Sequence, residues 1–261
     1  MTEVLAAHPS SAGLLLDFDG SLAPIVVDPA VAAAPPDTLA VLERIVGRIP
    51  LVAIVSGRPL DFLARAVPIP GVELVGQYGL ERRVGGTTAI EPAALAYRDA
   101  VATAASEAER RWPDLLVERK GEIAVTLHWR AVGDVGAPVV SEIDALGAGL
   151  GLAVYPTRMA RELRPPIAVD KGSAVRSLLA DAPGATRAAF AGDDRGDLPA
   201  FDALDALAER GRLDGAVRIA VRSPEVPGEL LERADLVVDG PAGLFEWLRA
   251  LAEALGGELS P

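Results

Sequence analysis

Gly13-Leu14-Leu15-Leu16-Asp17-Phe18-Asp19-Gly20-Ser21 (13–21) is the stretch from which the fold of this chain can be read. A short apolar run closed at once by turn residues is the pattern of a strand buried on both faces of a parallel sheet. Asp17 and Asp19 then stand beyond the strand's carboxyl end, where open α/β sheets gather their reactive groups. Two carboxylates so close to a buried strand are costly unless a cation or a proton compensates them. A hard ion such as Mg²⁺ suits a site built only of oxygen ligands. Taken alone, the same residues also fit an acidic turn that caps the next element.

Working outward, residues 37–46 carry Leu39, Leu42, Ile45 and Val46 at helical spacing, with Asp37 as N-cap. A second buried strand is predicted over Leu51–Val55, ending in Ser56-Gly57-Arg58-Pro59, and a third over Val72–Val75. Alternating strands and helices in this order predict a doubly wound parallel sheet. The pattern then changes. A long helical stretch, 92–111, precedes strand-like runs at 115–119 and 122–129, and a helix at 138–149 precedes runs at 152–155 and 161–164. One helix and two strands, twice over, predict a small α+β unit of the split βαβ kind, placed at 83–160. The parallel pattern resumes with a helix from Lys171, strands at 188–191, 217–221 and 236–238, and a closing helix at 243–255. The expected fold class is therefore α/β: a doubly wound core, 1–82 and 161–261, with a smaller inserted α+β domain.

Three further strand ends or helix entries repeat the chemistry of the first. Ser56 offers a hydroxyl and nearby backbone N–H groups to phosphate oxygens. Lys171 opens a helix with a charge that can neutralise a carboxylate and a phosphoryl group together. Asp193, Asp194 and Asp197 follow a fourth strand with more hard oxygen ligands. Each has an ordinary reading as a turn or a solvated charge; the set of four converges on one site.

Composition narrows the classes. Half of the 261 residues are hydrophobic and 24% are charged, which favours a sizeable core over disorder. A formal charge of −12 argues against nucleic acid, and zero cysteines exclude a thiol nucleophile or zinc–thiolate centre. Two histidines, His8 and His128, make a polyhistidine metal site unattractive. No run approaches the roughly 18–20 apolar residues of a membrane span. Met1 to Gly13 lacks the basic start and apolar stretch of a secretion signal, so the expectation is a cytoplasmic protein with no membrane partner. No oligomeric state can be read, and a monomer satisfies the pattern.

In this order Asp-x-Asp-Gly-Ser (17–21), Ser56, Lys171 and Gly-Asp-Asp-x-x-Asp (192–197) resemble the haloacid dehalogenase-like phosphatases. The insert is similar to the large type C2 cap of their sugar-phosphatase branch. More narrowly, the runs 16–25, 55–58, 79–81, 118–120, 128–130, 162–165 and 170–172 resemble the trehalose-6-phosphate phosphatase family, over nearly the whole chain. Three positions depart from that family's pattern. Ser21 stands for its usual Thr, Tyr78 for a common His, and Gly196-Asp197-Leu198 for its Thr-Asp-Glu.

The resemblance implies Mg²⁺-dependent hydrolysis of trehalose 6-phosphate to trehalose and phosphate through an aspartyl phosphate. Asp17 is implied as nucleophile and Asp19 as general acid and base. Mg²⁺ would be held by Asp17, the Asp19 backbone carbonyl and Asp193, with Asp194 behind them. Ser21, Ser56, Gly57 and Lys171 would bind phosphate, and Asp197 would support the acidic loop. Arg58, Glu118, Lys120, His128, Arg130 and Glu162 would contact the sugar. The charged strand residues read equally well as cross-strand pairs, and His128 as a packed core histidine. Another sugar or glycosyl phosphate, a phosphosugar mutase and a catalytically silent sugar-phosphate sensor stay open as rival readings.

Overall fold

The computed structural model describes residues 1–26, 29–157, 159–223 and 226–256. Twelve strands occur among the described residues, in chain order β1 (Ala12–Leu16), β2 (Leu51–Val55), β3 (Glu73–Gly76), β4 (Glu81–Val84), β5 (Thr87–Ile90) and β6 (Leu116–Lys120). They continue with β7 (Ala124–His128), β8 (Ala153–Thr157), β9 (Ala160–Arg164), β10 (Arg187–Gly192), β11 (Gly215–Arg222) and β12 (Leu236–Asp239).

Eight of them form one sheet in the order β12-β11-β10-β1-β2-β3-β4-β5. All its pairs from β12 to β3 are parallel, and β4 joins β3 antiparallel. β1 and β2 are buried at every residue because helices cover both faces. Strand alternation sends Leu14 and Leu16 to one face, where Val41, Leu42, Ile45, Leu248 and Leu251 pack, and Leu15 to the other, against Val175, Leu178 and Phe201. Each fully buried Leu contributes about 1.5–3 kcal/mol. The chain leaves β1 toward β2 on one side and returns through β10 on the other, so the strand order reverses at β1. A crevice at that reversal is where the fold collects ligands.

The other four strands form an antiparallel sheet, β6-β7-β9-β8. One face packs on the helices Arg98–Arg111 and Gly136–Gly149. Val101, Ala104, Ala105 and Ala108 line the first of these at i, i+3, i+4 and i+7, against Val125, Leu127 and Leu163. Gly147 lets the second helix approach closely, since a Cβ there would lie 2.5 Å from Val154 Cγ2. Alternation puts Glu118, Lys120, Thr126, His128, Tyr155, Glu162 and Arg164 together on the opposite face.

The fold class is the one the pattern predicts, a doubly wound parallel core with a smaller inserted α+β unit. The two compact units are Met1–Ala89 with Val169–Pro261, and Ile90–Ala168. Both junctions fall several residues after the 83–160 read from the sequence, for a reason of strand pairing. The hairpin β4–β5 extends the large sheet, whereas β9 pairs with β7 and β8. Asp37 is not an N-cap: the helix Pro36–Ile45 begins one residue earlier, on a proline whose fixed φ suits a helix's first turn, and Asp37 lies inside that turn.

Candidate active site

Asp17, Ser56 and Asp193 follow three adjacent central strands, β1, β2 and β10, and so emerge side by side at one edge of the sheet. The ladder continues into the site: Asp17 N donates to Ala191 O at 2.9 Å and Ser56 N to Val75 O at 2.9 Å. Lys171 arrives from the helix Lys171–Asp181. Asp170 caps that helix, its Oδ1 accepting from Ser173 N at 2.6 Å while Ser173 Oγ accepts from Asp170 N.

Lys171 Nζ donates to Asp17 Oδ1 and to Asp197 Oδ1, both at 2.6 Å. Asp197 Oδ2 accepts from Asp193 N at 2.9 Å and Asp194 N at 3.0 Å, which ties the acidic loop to the lysine. Asp17, Lys171, Asp193 and Asp197 are all at least 96% buried. Three carboxylates against one ammonium leave two negative charges, so a divalent ion is what would neutralise the cluster. Oxygen atoms of Asp17, Asp193 and Asp197 lie within 4.8 Å of one another, and the donor set is hard oxygen throughout. Carboxylates this close and this deeply buried coexist only with a proton or a cation between them.

Titration follows from this crowding. Burial pushes the Asp17 carboxyl well above the usual range; Lys171 opposes the shift, and Asp197, Asp194 and Asp193 add to it. Burial and then Asp197 and Asp194 raise Asp193 to about 7. Burial raises Asp197 to about 6 against the pull of Lys171. Burial works against the Lys171 charge, yet the surrounding carboxylates, Asp17 and Asp197 first, hold it above an ordinary lysine.

Two glycines make the cluster possible. Gly20 has φ +79°, and a Cβ on it would lie 2.1 Å from Asp193 Oδ2. Gly172 meets Pro199 O, 2.2 Å from where its Cβ would be, so the start of the lysine's helix rests directly on the first turn of the helix that follows Asp197. The departure at Gly196-Asp197-Leu198 therefore leaves a well-formed loop. Asp194 Oδ1 accepts from Gly196 N at 2.7 Å, and Pro199 sits in the first turn of the helix Leu198–Glu209.

The predicted residues differ in where the fold places them. Asp17, Lys171, Asp193 and Asp197 converge, and buried Ser21 and Ser56 belong to the same strand-end loops; Ser21 Oγ has no hydrogen-bond partner among the described residues. Asp194 is exposed and serves the loop turn, outside the group of clustered carboxylates. Arg58 pairs with Asp19, and Gly57 lies under the Tyr78 ring. On the second unit, His128 Nε2 lies 2.8 Å from Glu118 Oε2 and Lys120 Nζ donates to Glu162 Oε2 at 2.5 Å. Glu118 and Lys120 share a face as their spacing predicts, although each pairs elsewhere. Arg130 is exposed in the turn after β7.

Two residues escaped the sequence reading. Thr126 sits in register between Glu118 and Glu162, its buried hydroxyl without a partner among the described residues, and Tyr155 stands opposite Glu162 with the Arg164 guanidinium 3.9 Å from its ring centroid. Alternation from His128 back to Thr126 was the available signal.

A doubly wound core with an inserted α+β unit is a fold also found among solved haloacid dehalogenase-like hydrolases. One from Bacteroides thetaiotaomicron shares the fold at a TM-score of 0.63 and 18% identity, over 93% of this chain and 99% of that one. A solved trehalose-6-phosphate phosphatase related protein is 25% identical with a TM-score of 0.71, over 93% and 97% of the two chains. The trehalose-phosphatase family model matches residues 15–239, and the chain belongs to that family. A trehalose-phosphate phosphatase of Mycobacterium marinum is 32% identical over 251 residues, 93% of this chain. The chain spans 62% of that relative's length.

Proposed function

We propose that the chain is a Mg²⁺-dependent phosphatase that converts trehalose 6-phosphate to trehalose and inorganic phosphate through an aspartyl phosphate on Asp17. Family membership supports the substrate. The observation that carries the chemistry is the buried cluster of Asp17, Asp193 and Asp197 around the single ammonium of Lys171.

Asp17 attacks phosphorus, splitting one difficult displacement into two easier ones. The sugar oxygen departs with a proton from Asp19. The same carboxyl then takes a proton from the water that cleaves the P–O bond to Asp17, releasing phosphate and restoring both acids. Lys171 holds Asp17 in place and balances charge on the transferring group, while the Ser21 and Ser56 hydroxyls meet phosphate oxygens. Asp17, Asp193 and the Asp19 backbone carbonyl would hold the Mg²⁺, with Asp194 behind them, and the bound ion offsets the negative charge that gathers on the phosphoryl oxygens. The inserted unit acts as a cap, in which Glu118, Lys120, His128 and Glu162 supply donors and acceptors suited to sugar hydroxyls.

A second reading, hydrolysis of another sugar phosphate, is favoured by one specific feature. Tyr78 occupies the position of the family's common His and covers Gly57 beside phosphate-binding Ser56. A panel of sugar phosphates, assayed for released phosphate with Mg²⁺ and with a chelator, separates the two. The expected result is Mg²⁺-dependent release with trehalose 6-phosphate the preferred substrate. Stronger release from a different ester moves the assignment to that sugar, and no release from any ester removes the phosphatase reading.

A further inference from the structure

The family resemblance implies a sugar contact for Arg58, and its guanidinium pairs with Asp19. Nε donates to Asp19 Oδ2 at 2.7 Å and Nη2 to Asp19 Oδ1 at 2.6 Å. Such a two-pronged pairing fixes the plane of a carboxyl as well as its position. The same guanidinium lies over the Phe62 ring, 4.5 Å from its centroid, and Phe62 meets Phe18 edge-on at 5.7 Å. Phe18 lies between Asp17 and Asp19 in the chain, so the contacts close a ring from Asp19 through Arg58, Phe62 and Phe18 back to the acid.

The backbone of Arg58 is held equally firmly. Its N donates to Ser56 Oγ at 3.2 Å and its O accepts from Gln77 N at 2.9 Å. Tyr78 N donates to Ser56 O at 3.0 Å, and a Cβ on Gly57 would lie 2.6 Å from the Tyr78 ring. Gln77 and Tyr78 have φ of +47° and +60°, left-handed values that side chains rarely adopt. Backbone strain of this kind persists only where the surroundings over-determine it. Only 13% of the Arg58 side chain is exposed, against 36% for Asp19, which places the carboxyl toward solvent and the arginine behind it.

We infer that Arg58 is the positioning residue of Asp19. It sets the orientation in which the acid–base carboxyl meets the departing oxygen, and it takes no part in holding the sugar. The inference rests on the reading of Asp19 as proton donor. Lysine at this position keeps the charge but replaces the rigid fork with a single mobile donor.

The test is a double-mutant cycle on kcat/KM with Mg²⁺ present, using trehalose 6-phosphate and p-nitrophenyl phosphate. This ratio reports the steps through leaving-group departure; a sugar alkoxide needs a proton to leave, whereas nitrophenolate does not. Arg58→Lys is expected to lose about 10- to 100-fold on the sugar ester and under about 3-fold on the aryl ester. Asp19→Asn with Arg58→Lys should be no worse than Asp19→Asn alone, because the two residues act as one unit. Phe62→Leu, which loosens the guanidinium and keeps its charge, should give the same pattern at smaller size, so the test survives a poorly folding Arg58 variant. On an Asp17→Asn background, calorimetric affinity for trehalose 6-phosphate should change by less than about 3-fold when Arg58→Lys is added. A further loss in the Asp19→Asn background, or affinity weakened about tenfold, overturns the inference and makes Arg58 a ligand contact. Wild-type protein that hydrolyses neither ester overturns the phosphatase reading and this inference with it, a result distinct from additive losses in an active enzyme.

Discussion

The strand-end cluster of the first unit and the polar face of the inserted unit both bury carboxylates beside basic groups. In the first, Asp17, Asp193 and Asp197 share the one ammonium of Lys171, and the group is two charges from neutrality. In the second, Lys120 pairs with Glu162, Glu118 faces His128, and Arg164 Nη1 stands 3.8 Å from the other Glu162 oxygen. Burial penalises uncompensated charge steeply, so the imbalance of the first cluster is a demand for a cation. The matched pairs of the second make no such demand. They present donors and acceptors, the chemistry that recognises a neutral polyol.

Replacing the proposed nucleophile should break the first cluster's function most severely. Asp17→Asn is expected to lower phosphate release by about 10⁴-fold or more while the circular dichroism spectrum stays native. Residual turnover near the wild-type rate would move the nucleophile elsewhere.

Chelation probes the charge imbalance directly. Asp193 and Asp197 carry folded-state pKa values of about 7 and about 6, above those of an unfolded chain. The folded metal-free protein therefore binds more protons than the unfolded one across that interval. The cluster's contribution to stability should be greatest near pH 4 and be lost as pH rises through about 6 to 7. Added Mg²⁺ should flatten this decline, because the ion takes the place of the protons. Thermal melts at pH 4.5, 6 and 7.5, with EDTA or with Mg²⁺, measure both effects. Metal-free stability that rises over the interval would contradict the assigned charge balance.

The second region should respond through stability and selectivity. Lys120→Met takes from buried Glu162 its 2.5 Å partner, at a cost of about 1–3 kcal/mol in urea unfolding. Its kcat/KM should fall more for trehalose 6-phosphate than for p-nitrophenyl phosphate; equal losses would remove the pair from sugar recognition. The smallest effect belongs to Thr126→Val, which deletes a buried hydroxyl that has no partner among the described residues. Stability should change by about 0.5 kcal/mol or less, since the swap keeps shape and strands no donor. The KM for the sugar ester should rise a few-fold, and an unchanged KM would assign Thr126 to packing alone.

Much of the first region was legible because its signals are local. An apolar run that ends in Asp17, Val55 that gives way to Ser56, and Gly192 that precedes Asp193 each announce a strand and its carboxyl end within a few residues. Parallel-sheet topology then brings such ends together without further instruction. The second region was legible only in outline. The strand runs and the shared face of Glu118 and Lys120 follow from alternation, but partners lie across the sheet. Lys120 is 42 residues from Glu162 in sequence, a separation no local pattern bridges.

By itself, then, the sequence determined the α/β class, the inserted α+β unit and the identity of the clustered acids and lysine, because hydrophobic period and turn chemistry act at short range. Tertiary structure alone decided where the inserted unit begins, since β4 and β5 choose the large sheet and β9 the small one. It also set the Arg58 guanidinium against Asp19, 39 residues away in sequence. Long side chains reach whichever charge the folded backbone sets within a few ångströms, and that proximity is a property of packing rather than of spacing along the chain.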